Sequence, residues 1–141
     1  MMSESLKPLN WEPAPGVGYT VTRRHDGGMH YVFTDTSEAT IKHWREFGIE
    51  HLMDSDRLTT NLYDLRQLDQ LSDIAIKTAL ELNFDPSVRL IRLAVVVSND
   101  AVRDGMAQID ALSAGSGVEM ALFTDIEEAE NWLDRPLTII S

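Results

Sequence analysis

The sequence predicts a single α/β domain with a mixed sheet and helices packed on it. Two segments carry that prediction. Residues 90–100 read Leu-Ile-Arg-Leu-Ala-Val-Val-Val-Ser-Asn-Asp, and residues 118–133 run from Val118 through Phe123 into a helix-period stretch that closes with Trp132 and Leu133. Each is a short, branched apolar run that stops at a polar cap and resumes with helical spacing, the pattern of a strand buried on both faces and followed by a covering helix. A third observation makes the sheet mixed. Alternating apolar and polar residues over 17–23 and 29–34 flank Asp26-Gly27-Gly28, a hairpin signal, because the glycines supply the positive φ of a tight turn.

In order along the chain, residues 1–16 hold Pro8, Pro13, Pro15 and Gly16 and read as an irregular leader with Trp11 as its large apolar anchor. The hairpin strands follow. Residues 37–53 place Ile41, Trp44, Gly48 and Leu52 at helical spacing, with Phe47 widening the stripe, and predict the first long helix. Residues 58–65 read as a strand. A second helix over 72–83 ends before Asp85-Pro86, since a residue preceding proline is pushed out of the helical region. The third helix, 100–114, lines up Val102, Met106, Ile109 and Leu112 on one face and stops at Gly115-Ser116-Gly117. The last begins at Thr124-x-x-Glu127, read as a capping box, and buries Ile126, Ala129 and Trp132 or Leu133. Residues 135–141 form a short apolar tail that can pair along a sheet edge, within the protomer or across a homodimer. The predicted order is β-β-α-β-α-β-α-β-α, with the domain over 17–134.

Bulk composition narrows the function classes. The chain has 141 residues, 43% of them hydrophobic and 25% charged, and no cysteine. That is ordinary globular composition at one-domain size, with no disulfide framework, thiol nucleophile or thiolate metal site. A formal charge of −11 repels phosphate backbones, and no Lys/Arg stripe offsets it, so nucleic acid is excluded as a partner class. No run approaches the roughly 18 apolar residues of a membrane span, and the start lacks a basic, then apolar, export signal. A cytoplasmic protein without integral membrane insertion is expected.

Catalytic constellations are weak. His43 and His51 lie about 12 Å apart along one helix, too far to share a metal. His25 and His30 flank the hairpin turn and are expected in solvent. Asp64, Asp69 and Asp73 offer carboxylates without any sequence sign that they converge. Gly115-x-Gly117 follows a helix and precedes a strand, the reverse of a phosphate-binding order. No catalytic residue, metal site or cofactor is therefore predicted. If the crossover strands are parallel, their carboxyl ends bring Asp64 and Arg66, then Ser98, Asn99 and Asp100, then Thr124 and Asp125 to one sheet edge, where open α/β sheets bind their ligands.

The segment Asn61-Leu62-Tyr63-Asp64-Leu65-Arg66, the strand residues Arg92-Leu93-Ala94-Val95-Val96, and Phe123-Thr124-Asp125 leading to Ala129-x-x-Trp132-Leu133 resemble the STAS-like, SpoIIAA-like proteins grouped with the anti-sigma factor antagonists. The resemblance covers residues 17–134. It implies a non-enzymatic domain that acts as a protein-interaction switch, or one with an apolar cleft related to CRAL-TRIO lipid-exchange folds. The switch serine of such antagonists corresponds to Ser72, which makes Ser72 the candidate phosphoacceptor, although the accompanying glycine is missing. As a plain N-cap, Ser72 needs only its short oxygen-bearing side chain.

The helix over 72–83 shows two apolar sides, Leu71, Ala75, Ala79 and Leu82 on one and Ile76 and Leu80 on another. Full burial, a partner surface and the wall of an apolar cleft all account for this. Two functions follow. The first is a regulatory or protein-interaction module using Asp64, Arg66, Asp69, Ser72 and Asp73, with an unidentified protein partner. The alternative is a carrier or sensor of a small hydrophobic molecule, lined by Trp44, Ile76 and Leu80.

Overall fold

A computed structural model describes residues 12, 14–52, 59–85 and 91–135, with the side chains of 51 and 52 left out. The leader anchor Trp11, the imidazole of His51 and the apolar tail beyond residue 135 lie outside the described residues. The elements are β1 (Tyr19–Arg23), β2 (Met29–Phe33), α1 (Glu38–Leu52), β3 (Thr59–Asp64), α2 (Asp73–Asn83), β4 (Ile91–Val96), α3 (Asp100–Leu112), β5 (Val118–Phe123) and α4 (Ile126–Leu133). This is the predicted order.

The strands form one five-stranded sheet in the order β1-β2-β3-β4-β5. β1 and β2 pair antiparallel, and the Asp26-Gly27-Gly28 turn forms with Gly27 at φ 91°. The remaining pairs are parallel, so the sheet is mixed as expected. Because β2 to β5 are laid down side by side in chain order, crossovers of one hand must all pass over the same face. α1, α2 and α3 do so, packing Ile41, Trp44, Phe47, Ala75, Leu82, Val102, Met106 and Ile109 against Tyr31, Phe33, Leu93 and Val95. α4 takes the other face, where Leu62, Ala94 and Val96 meet Ala129 and Leu133. Covered on both sides, β4 is buried at every position, Arg92 included. Each fully buried large aliphatic contributes about 1.5–3 kcal/mol, so the middle of the sheet anchors the domain.

The helix starts follow their caps. Ser72 Oγ accepts from the Ala75 N–H at 3.2 Å, and Asn99 Oδ1 from the Val102 N–H at 2.9 Å. The expected Thr124-x-x-Glu127 box is corrected. Asp125 is the N-cap of α4, and its carboxylate accepts from the Glu127 N–H at 3.3 Å. With the cap one residue later, Glu127 sits too early in the first turn to reach back to the cap, while its charge still suits the helix N-terminus.

His30 also departs from expectation. Its neighbour across the turn, His25, is exposed, but His30 points to the α4 face of β2 and its Nε2 is shielded from solvent. Strand alternation decides this: Met29 and Tyr31 face the large core, so His30 must face the other layer.

Candidate functional site

The carboxyl ends of β3, β4 and β5 meet at one edge, as the parallel-strand expectation required. Asp64 ends β3 and holds Arg66 with Oδ1 to Nε at 2.9 Å and Oδ2 to Nη2 at 2.8 Å. This is a two-pronged pair, the form in which a guanidinium is most firmly oriented. The Asp64 side chain is only 10% exposed and that of Arg66 is 43% exposed, so the carboxylate acts as an inner post and the guanidinium faces outward.

The loop from Leu65 to Ser72 is tied down along its length. The Ser98 hydroxyl donates to the Arg66 carbonyl at 2.8 Å, and the Asn99 amide donates to the Leu68 carbonyl at 2.8 Å. Ser72 Oγ donates to the Thr36 carbonyl at 2.7 Å, and the Ser72 N–H donates to Thr36 Oγ1 at 3.2 Å. Loops following three neighbouring strands are thereby stitched together. Leu65 and Leu68 point inward, whereas Arg66, Asp69 and Asp73 are exposed. Of the predicted residues, Arg66, Asp69 and Asp73 present their side chains outward, Asp64 supports from below, and the half-buried Ser72 hydroxyl is engaged both as donor and as acceptor.

Thr36 was missed in the sequence, although it holds Ser72 through both its hydroxyl and its carbonyl. A threonine in the loop before α1 carries no local mark of a partner 36 residues away. Loss of the Ser72 hydroxyl removes a cap and a loop tie together. Ser72→Ala is therefore expected to cost about 1–2 kcal/mol in urea unfolding.

Beneath this edge lies an apolar cavity of about 50 Å³, lined by Phe33, Trp44, Tyr63, Leu71, Ala75 and Met106 among others. Trp44 closes it through an Nε1–H donated to the Tyr63 hydroxyl at 3.1 Å. Trp44 is thus on the wall. On α2 the wall is made by Leu71, Ala75 and Ala79, while Ile76 and Leu80 lie half-buried against the core outside that lining. Pockets that enclose drug-sized ligands run to roughly 300–1,000 Å³, so this cavity as it stands admits only a fragment.

The opposite edge of the sheet holds a polar depression of about 570 Å³, lined by His25, Asp26, Thr60, Arg92, Asp134 and Arg135 among others. Its cations are already matched. Arg24 pairs with Asp26 and with Asp134, and Arg92 and Arg135 both approach Glu119 while lying over the Trp132 ring. Arg92, in the run Ile91-Arg92-Leu93, was the one sequence signal for this cluster: a charge inside a strand otherwise wholly apolar. Among the described residues no group of three or more His, Asp or Glu side chains is placed to hold a metal ion. None of the described helices is long and apolar enough to cross a membrane.

Among the described residues, three carboxylates are held below their ordinary range. At Asp64 and Asp26 burial opposes ionisation, but hydrogen bonds outweigh it, from Arg66 in the first case and from Thr60, the Gly28 N–H and Arg24 in the second. At Asp35 the Thr40 hydroxyl and the Ser37 N–H do the same. A lowered native pKa contributes stability that is complete above the unfolded value near 3.9 and is lost as pH falls through the native value. Unfolding monitored by circular dichroism is thus expected to show stability falling steeply below about pH 4, with Asp64→Asn flattening the fall.

No protein-family model matches this chain, and no curated protein matches it. Its structure is similar to that of an uncharacterized protein of the DUF3478 family with a SpoIIAA-like fold from Shewanella loihica PV-4. The TM-score is 0.60 at 18% identity, over 87% of this chain and 99% of that one.

Proposed function

Given a SpoIIAA-like fold, we propose that this chain is a non-enzymatic, cytoplasmic regulatory module that binds a protein partner through Asp64, Arg66, Asp69, Ser72 and Asp73. One observation carries the reading. The loop presenting Arg66, Asp69 and Asp73 is exposed yet fixed by hydrogen bonds donated from the side chains of Ser98 and Asn99 and accepted by Thr36 from Ser72, so a partner meets a surface that is already ordered. Binding to such a surface avoids much of the entropy cost of ordering a loop. The outward guanidinium of Arg66 is the contact with the largest weight, since an oriented arginine recognises a carboxylate in two-pronged fashion.

A switch at Ser72 follows from the same reading. A phosphate there would break the hydroxyl's bond to Thr36 and set new charge at the start of α2 beside Asp73, loosening the loop. A carrier or sensor of a small hydrophobic molecule is the second reading. It is favoured by the cavity behind Trp44 and requires α2 to move outward.

Native mass spectrometry of freshly purified chain, combined with co-purification from the source cells, separates these. The interaction reading expects a protein partner that is lost in Arg66→Glu and retained in Ser72→Ala but not in Ser72→Glu. Equal binding by both serine variants removes the switch at Ser72. A lipid-like mass that is released on denaturation, and that raises the melting temperature when returned, establishes the second reading and defeats the first.

A further inference from the structure

A second, smaller chamber of about 30 Å³ adjoins the apolar cavity and is lined by Asn61, Leu82, Asn83, Ile91 and Leu93 among others. Trp44 and Tyr63 line both spaces, so the hydrogen-bonded indole and phenol form the partition between them. Asn61 and Tyr63 stand two apart on β3 and face the same layer. The two chambers are thereby set end to end along that strand, beneath α1 and α2.

The chambers differ in their polar groups. The larger is walled almost wholly by apolar side chains, whereas the smaller carries two amides. Asn61 is 1% exposed, and its Oδ1 accepts the Met29 N–H at 3.4 Å. A backbone N–H can donate only to the oxygen of an amide, so this bond fixes which way the group faces and leaves its NH2 with no acceptor among the described residues. That nitrogen is not sealed in protein as His30 Nε2 is; it opens on the chamber. Asn83 gives its Nδ2 to Ser113 Oγ at 3.0 Å and keeps its carbonyl oxygen uncommitted. The Tyr63 hydroxyl accepts from Trp44, and its own hydrogen has no acceptor among the described residues. Accepting one bond strengthens a hydroxyl as the donor of the next, and burial keeps this phenol protonated by raising its pKa.

Uncommitted donors and an acceptor thus meet at one small space that continues into an apolar one. Among the described residues no carboxylate, ammonium, guanidinium or imidazole lines either chamber. A charged group brought there would lose its water and gain no counter-charge. An uncharged group that both donates and accepts loses nothing, because each of its bonds to water is replaced.

We propose that the two chambers form one site for an uncharged amphiphile, a small alcohol or primary amide whose head is held by Asn61, Asn83 and Tyr63 and whose apolar tail passes the Trp44–Tyr63 pair into the larger chamber. The proposal rests on the carrier reading and on the outward movement of α2 which that reading requires. It adds the chemistry of the head: alcohols and amides are taken, and fatty acids, amines and phosphate esters are refused.

The test is a proton–nitrogen NMR titration of the full chain at pH 7 with 1-hexanol and with hexanoate, probes of equal chain length. The indole resonance of Trp44, identified by its loss in Trp44→Phe, is the reporter. Hexanol is expected to shift it saturably. Hexanoate is expected to bind at least about a hundredfold more weakly, since a carboxylic acid with an ordinary pKa near 4.3 is almost wholly ionised at pH 7. Tyr63→Phe retains the ring and removes the hydroxyl, and is expected to weaken hexanol about three- to tenfold, the effect of one hydrogen bond. Equal binding of hexanol and hexanoate, or hexanol binding unchanged in Tyr63→Phe, overturns the uncharged-head assignment and leaves an apolar carrier standing. No saturable shift with either probe overturns the assignment and the carrier reading together. Should Tyr63→Phe not fold, the ratio of the two probes on the unmodified chain decides by itself.

Discussion

Gly28→Ala is expected to be the most damaging single-methyl change in the described part of the chain. A Cβ at Gly28 would stand 1.8 Å from the Thr60 carbonyl oxygen and 2.9 Å from its carbonyl carbon, both of them backbone atoms of the neighbouring strand. A flexible side chain could swing aside. A strand held on its far side by β4 cannot. Relief therefore means separating the start of β2 from β3, which also pulls Asp26 away from Thr60 and from the Gly28 N–H. Overpacking alone costs about 1–3 kcal/mol, and the lost ladder and turn bonds add to it, so a loss of about 4 kcal/mol or failure to accumulate folded protein is expected. Urea denaturation against Gly48→Ala gives the contrast. Gly48 lies within α1 with nothing within 4 Å of an added Cβ, and that change is expected to stabilise by about 0.5–1 kcal/mol. Near-equal midpoints for the two variants would show that β2 does not approach β3 this closely.

Leu62→Ala is expected to produce the second large loss, and a selective one. Leu62 is fully buried in the middle of β3 on the α4 face, among Ala94, Val96, Ala129 and Leu133. Truncating a buried leucine costs about 2–5 kcal/mol, the upper part of that range where the surroundings cannot collapse. Here the neighbours are small and the sheet is rigid, leaving only α4 to move. The variant should lose about 3–4 kcal/mol overall. Fluorescence of Trp132, whose ring lies tilted against Phe123 at 5.8 Å between centroids, should change before the far-ultraviolet signal of the sheet does. A single coincident transition would mean that α4 and the sheet still unfold as one unit.

Much of the architecture was readable because its signals are local. The apolar run of β4, the glycine pair of the hairpin and the helix periods of α1 to α4 each reside within a dozen residues and reflect period and cap chemistry. The candidate edge was readable at one remove. Once β3, β4 and β5 are parallel, Asp64, Arg66, Ser98 and Asn99 must gather at one end, and they do. The α4 cap was misplaced by one residue because Thr124 and Asp125 both have a suitable oxygen, and the choice depends on where the strand releases the chain.

What the amino-acid order determined by itself was the list of elements, their sequence and most residues facing a core, since those follow from spacing along a chain of fixed geometry; Leu112, expected on the apolar face of α3, is instead exposed at its end. Tertiary packing alone decided that Thr36 grips Ser72, that Gly28 lies under Thr60, that the cleft behind Trp44 is nearly filled, and that the Nε2 of His30 is shielded while His25 is exposed. Each of these depends on which strand or helix lies alongside, a choice made between segments far apart in sequence, where no local pattern of residues carries the distance between them.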